Sequence, residues 1–133
     1  MTIVHASGKR KSAIARATLR KGVGKIRVNS QILETFEPKL ARLKLREPLL
    51  LAGDVANRVD IDIIVKGGGI MSQAEAARLA VARALVEYTK SDKLEKDFLD
   101  YDRHLLIADV RRKETRKPNR HGKARAKRQK SYR

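Results

Sequence analysis

The chain is 133 residues long and carries 32 Lys or Arg against 15 Asp or Glu, a formal net charge of +17. That length supports one ordinary domain and excludes a second large catalytic module, and the lack of any cysteine excludes disulfide frameworks, thiolate zinc sites and thiol nucleophiles. No apolar run approaches the roughly 18 residues of a transmembrane helix, and residues 2–6 lead into Gly8-Lys9-Arg10-Lys11, the reverse of a secretory signal's basic-then-apolar order. The expectation is a soluble intracellular protein with no membrane association, whose partner is a polyanion.

The charge is unevenly spread. Residues 1–110 hold 20 basic and 14 acidic side chains, a net +6, whereas residues 111–133 hold 12 basic and one acidic, Glu114, a net +11. All 34 Leu, Ile, Val and Phe residues fall in the first 110 positions. A segment without any cannot bury enough apolar surface to offset a chain entropy of about 1–2 kcal/mol per ordered residue. The expected organisation is a globular domain over 1–110 and an extended basic tail over 111–133, disordered when free.

In chain order, the first third reads as strands. Ala13, Ala15, Ala17 and Leu19 alternate with Ile14, Arg16, Thr18 and Arg20, and after Gly22 and Gly24 the alternation resumes through Lys25-Ile26-Arg27-Val28-Asn29. This pattern predicts a hairpin that displays Arg16, Arg20, Lys25 and Arg27. Residues 37–58 are Leu-rich and contain Pro38 and Pro48, each best tolerated in a first helical turn, so two short helices are expected there. Residues 59–65 form the cleanest strand, with Val59, Ile61, Ile63 and Val65 on the buried face. Following Gly67-Gly68-Gly69, a helix is expected over 73–89, with Ser72 and Glu75 as a capping box, Ala74, Ala77, Val81, Ala84, Leu85 and Tyr88 as its apolar stripe, and Glu87 paired with Arg83. A further helix is expected over 92–100. The order gives an α+β fold, a small sheet with helices packed on one face and much basic charge on the other.

Catalysis finds little support. The Gly67–Gln73 turn fits neither G-x-x-x-x-G-K-[ST] nor G-x-G-x-x-G. It reads either as a sharp turn with close backbone packing or as a phosphate contact at a helix start. A small-molecule kinase would need a larger enclosed nucleotide pocket than 110 folded residues provide. Asp60 and Asp62 share a strand face without a third ligand in sight, and His5, His104 and His121 lack metal-ligand spacing. No nucleophile stands with a base, so neither enzymatic activity, nor a metal, nor a cofactor is expected.

The tail cations Arg111, Arg112, Lys113, Arg116, Lys117, Arg120, Lys123, Arg125, Lys127, Arg128, Lys130 and Arg133 are irregularly spaced and have no apolar stripe beside them, which disfavours a membrane helix. A nuclear-localisation signal or a DNA-packaging arm is the cheap alternative for such a run. Extended at about 3.3–3.6 Å per residue, the 23 residues reach roughly 75–80 Å, far beyond the ~13 Å radius of gyration of a 100-residue body. Such a tail can thread through a crowded nucleic acid, with Arg supplying forked phosphate contacts and Tyr132 a stacking surface.

Three stretches resemble a known family. Residues 67–85, Gly-Gly-Gly-Ile-Met-Ser-Gln-Ala-Glu-Ala-Ala-Arg-Leu-Ala-Val-Ala-Arg-Ala-Leu, look like the signature of the universal ninth small-subunit ribosomal protein family; residues 8–16 at the start and Gln129-Lys130-Ser131-Tyr132-Arg133 at the end agree with it. The short amino terminus, the 100–109 stretch and the Lys-Ser-Tyr-Arg ending are most similar to the archaeal form. Arg128 and residues 117–121 depart from the pattern. The resemblance implies a fold like the second domain of ribosomal protein S-five, with a left-handed βαβ crossover against the usual rule, and a place in the head of the cytoplasmic small ribosomal subunit beside other head proteins, with no homo-oligomer. It implies ribosomal RNA contacts from Lys9, Arg10, Lys11, Arg16, Arg20, Lys21, Lys25, Arg27, Gly67, Gly68, Gly69, Gln73 and the tail cations through Arg128. It also implies contact of Lys130, Ser131, Tyr132 and Arg133 with the tRNA in the peptidyl site.

Overall fold

The computed structural model describes residues 2–125. Five strands, β1 (Ile3–Arg10), β2 (Ala13–Lys21), β3 (Ile26–Val28), β4 (Gln31–Ile32) and β5 (Val59–Lys66), form one mixed sheet in the order β1-β2-β5-β3-β4. Three helices, α1 (Lys39–Ala52), α2 (Ile70–Thr89) and α3 (Asp92–Tyr101), complete the α+β architecture. The period-two expectations hold: β2 buries Ala13, Ala15, Ala17 and Leu19, and β5 buries Val59, Ile61, Ile63 and Val65.

The expected hairpin between β2 and β3 does not form. β5 lies between them, antiparallel to β2 and parallel to β3. The reason lies at residues 22–25, which cross the start of β5 instead of folding β3 back on β2. The Asp60 carboxylate accepts from the amides of Val23 and Lys25, both at 2.9 Å, while the Gly22 and Gly24 amides donate to the carbonyls of Arg58 and Val59. A Cβ on Gly22 would collide with that carboxylate at 2.1 Å. Two hairpins do form: β1 joins β2 through Lys11 and Ser12, with Lys11 at φ 52°, and β3 joins β4 through Asn29 and Ser30. The alternation marks β1 only weakly, because, of its helix-facing residues Val4, Ala6 and Gly8, the last two are too small for a hydrophobic signal.

Two helix expectations are also corrected. Residues 39–52 form a single helix with Pro48 inside it. The amide lost at Pro48 is offset by burial of its ring on the face that also buries Ala41, Leu45 and Leu49. The following Gly53–Arg58 segment is a 3₁₀ turn. α2 starts at Ile70, with Gly69 as its N-cap and no side-chain cap, so Ser72 falls inside the first turn and Glu75 is drawn to Arg10 and Lys44. Arg83 does not pair with Glu87. Its guanidinium donates to the carbonyls of Leu106 and Ser7, each at 3.0 Å. α3 matches its expectation, with the Ser91 hydroxyl accepting from the Leu94 amide.

α2 lies across the sheet with α1 packed beside it, and it is buried almost all round, Ala76, Leu79, Ala80 and Ala82 joining the expected stripe. Alanines permit this because the sheet comes so near. A Cβ on Gly8 of β1 would sit 2.2 Å from the Ala76 carbonyl oxygen and 2.8 Å from the Ala80 nitrogen. Phe98 and Leu105 are fully buried and close the core at its far end; among the described residues, no helix or strand follows from 106 to 125.

The Gly8 approach has no flexible side chain to give way. Gly8→Ala should therefore destabilise the fold by about 1–3 kcal/mol, the usual cost of overpacking, read as a lower urea midpoint with an unchanged slope. A midpoint equal to that of the parent chain would contradict this packing.

Candidate nucleic-acid interface

Sheet alternation puts all the helices on one face and leaves the other open. Across that open face the register aligns Lys9, Ile14 and Lys66 in one row, Ser7, Arg16 and Ile64 in the next, then His5, Thr18, Asp62 and Arg27, and finally Ile3, Arg20 and Asp60. The acidic side chains at one end are engaged: Asp62 lies 3.4 Å from Arg20, and the two backbone amides on Asp60 hold its carboxyl below its ordinary value. The other end carries exposed Lys9, Arg16 and Lys66 beside exposed Ile14 and Ile64. A polyanion that brings phosphates and flat bases meets both cations and apolar surface here.

A second basic cluster forms where the β1–β2 turn meets the tail. Lys11 and Ser12 line one concavity with Arg111, Arg112 and Lys113. The glycine turn lies alongside: Gly67 has φ 77° and its Cβ position is 2.7 Å from the Ser12 carbonyl oxygen, while Gly68 has φ 68° and packs on Ala13. Gln73 donates from Nε2 to the Gly67 carbonyl at 3.1 Å, bracing this turn. Close backbone packing therefore accounts for Gly67 and Gly68, while Gly69 has open space around it.

Not every predicted cation joins these groups. Lys21 and Lys25 are exposed at the start-of-β5 end of the sheet, away from Lys9 and Lys66. Arg10 faces inward: its side chain is only 14% exposed, with Nε 2.7 Å from Glu75 and Nη1 2.9 Å from Asp109. Arg111 is turned onto Asp109 at 2.8 Å, and Arg125 is ion-paired with Glu114. Arg116, Lys117 and Lys123 are exposed, and a turn through Arg120 places the Lys123 amide 3.0 Å from the Arg120 carbonyl. Lys127, Arg128, Lys130, Ser131, Tyr132 and Arg133 lie outside the described residues. Sequence reasoning missed Lys66 and Ile64, although the alternation that put Asp60 and Asp62 on one face extends to both.

A network of ion pairs lies behind the basic surfaces. Glu75 takes Lys44 at 2.8 Å as well as Arg10, and Arg78, 11% exposed, reaches Glu47 at 2.5 Å and Asp102 at 2.9 Å. Burial pushes the Glu75 and Asp102 carboxyls up, but hydrogen bonds and charges outweigh it, from Lys44 and Arg10 on Glu75 and from the His104 amide and Arg78 on Asp102, so both lie below their ordinary values. Asp109 sits well below the usual carboxylate range, held first by the Arg111 side chain and amide and further by the Arg10 charge. Among the described residues no group of His, Asp and Glu could hold a metal ion, and no helix is long and apolar enough to cross a membrane.

Comparison with known proteins adds a family. Residues 8–133 match the family model described as Ribosomal protein S9/S16. A relative from Methanococcus maripaludis (strain C7), named Small ribosomal subunit protein uS9, is 54% identical over 134 residues, covering the whole of both chains. A relative of the same name from Methanococcus vannielii is 52% identical with the same coverage.

The depressed carboxylates fix the direction of the acid response. Their stabilisation is fully present above their ordinary values of 3.8 and 4.5 and is lost as pH falls through the depressed ones. The Tm should stay level from about pH 7 to 5 and drop below about pH 4.5, and Glu75→Gln should lower it at neutral pH while making the acid drop shallower. Circular-dichroism melts across this range would contradict the network if Glu75→Gln kept the parent's full acid dependence.

Proposed function

The chain belongs to the ribosomal protein S9/S16 family, and on that premise we propose that it is a structural constituent of the cytoplasmic small ribosomal subunit, of the archaeal type, that binds ribosomal RNA in the subunit head and extends its C-terminal segment to the tRNA in the peptidyl site. The family consists of ribosomal proteins, so the chain is structural and not an enzyme. Its partners in this reading are the small-subunit RNA, the peptidyl-site tRNA and neighbouring head proteins.

The observation that carries the reading is the sorting of charge: Glu47, Glu75, Asp102 and Asp109 are engaged with cations among the packed elements, while Lys9, Lys11, Arg16, Arg27, Lys66, Arg112 and Lys113 are left facing outward. Residues 1–110 act as the folded anchor and residues 111–133 as a tail that takes up its working path on RNA. The body has the fold of the second domain of ribosomal protein S-five with its left-handed crossover; the parallel β3–β5 pair, joined through α1, supplies the connection this likeness needs. Lys130, Ser131, Tyr132 and Arg133 make the tRNA contact, with the Arg133 guanidinium offering a fork to phosphate.

Two measurements test this function. Replacing Arg16, Arg27 and Lys66 with Gln should make the slope of log affinity against log salt for small-subunit RNA shallower by about 0.7–0.9 per lost phosphate contact, with the melting temperature unchanged; an unaltered slope would remove the open face from the interface. Deleting Ser131, Tyr132 and Arg133 should speed tRNA release from the peptidyl site of reconstituted subunits, and unchanged retention would sink the tRNA contact.

A further inference from the structure

Two acidic side chains mark the stretch where the C-terminal segment departs. Asp102 and Asp109 bracket the segment that leaves α3, and both are ion-paired with the body: Asp102 with Arg78 of α2 and Asp109 with Arg10 of β1. Between them the Arg83 guanidinium donates to the Leu106 carbonyl and to the Ser7 carbonyl of β1, each at 3.0 Å, tying segment and strand through one side chain. Leu105, fully buried, anchors the start of this stretch. At its end Asp109 accepts from the Arg111 amide at 2.9 Å and from its guanidinium at 2.8 Å, so one carboxylate holds a cation of the body and the first cation of the tail together. Both Arg10 and Asp109 have side chains only 14% exposed. Glu75 and Lys44 complete the wall behind them.

We propose that Arg10, Arg83 and Asp109 form a clasp that fixes the direction in which the C-terminal segment leaves the body. They are positioning residues: they act through the cations that follow, which a loose joint would spread over a wide cone. Without Asp109, Arg10 and Arg111 would face each other as like charges at the joint, and repulsion would push the segment off β1. The inference deepens the RNA-binding function above and gives Arg10 a different task from the RNA contact expected of it, since a guanidinium held on Glu75 and Asp109 is not presented to a phosphate.

The free, full-length chain tests the clasp without RNA. It has no cysteine of its own, so spin labels at Asp97→Cys on α3 and Thr115→Cys beyond the clasp report their separation by electron double resonance. A narrow distance distribution is expected. Asp109→Asn and Arg10→Gln should each widen it at least twofold, whereas Asp109→Glu, which keeps a carboxylate between Arg10 and Arg111, should keep much of the narrowing, which a merely structural effect on the body would not. Equal widths in the parent and Asp109→Asn would overturn the clasp. Amide relaxation of the unsubstituted chain, independent of any variant's folding, should give residues 106–111 order parameters near the ~0.85 of rigid backbone; values as low as those at residues 113–117 would overturn it equally. Both readouts are taken without nucleic acid, so a firm clasp on a chain that ignores ribosomal RNA would refute the function alone.

Discussion

An excess of positive charge is the constraint this structure has to meet, and Arg78 shows how. It is the one charged residue buried among those described, and it reaches Glu47 on α1 and Asp102 at the end of α3 from the middle of α2. Its partners are 29% and 36% exposed, so these pairs lie between a buried pair, where removing one partner costs roughly 3–5 kcal/mol, and an exposed pair, which contributes about 0–1 kcal/mol. Arg78 therefore holds three helices in register, whereas the half-exposed Arg20–Asp62 pair chiefly tempers the charge at one end of the sheet. Carboxylates used internally in this way leave most of the remaining cations unopposed on the surface.

The layer arrangement decides where those cations go. α2 is almost entirely alanine, leucine and valine on its buried sides and lies so close to β1 that Gly8 has no room for a methyl group. With one sheet face sealed, the alternate residues of β1, β2 and β5 must point to solvent, and these include Lys9, Arg16 and Lys66. The β1–β2 turn adds Lys11 at the edge where Arg112 and Lys113 pass. Lys11, Arg112 and Lys113 thus share one basic concavity, and the packing of an alanine-rich helix determines which strand residues face the open side.

How far the sequence carried this depended on side-chain size and on local periodicity. β2 and β5 were legible because alternation over eight or nine residues has a single buried face, and α3 because Ser91 precedes a clear helical stripe. β1 was only weakly so, since beside Val4 its helix-facing residues Ala6 and Gly8 fill the space beneath α2 without a large apolar side chain. The strand order was hidden as well: Asp60 captures the Val23 and Lys25 amides, so a connection that reads locally as a hairpin turn is a crossing over β5. The capping box misled for a related reason, with Glu75 engaged by Arg10, 65 residues away. Arg10 sits in a basic run and looks like a surface cation; only tertiary contact with Glu75 and Asp109 turns it inward. The outward cations Arg16, Arg20 and Arg27 were legible as exposed, because exposure follows from strand parity.

The most direct measurement of the central claim, that outward cations on an internally neutralised body bind small-subunit RNA, is sedimentation of the full chain with purified ribosomal subunits through a sucrose gradient at moderate salt. Co-migration with the small subunit, and not with the large one, is the expected result. A chain that stays at the top of the gradient, or that leaves the subunit for an equal mass of duplex DNA, would contradict it.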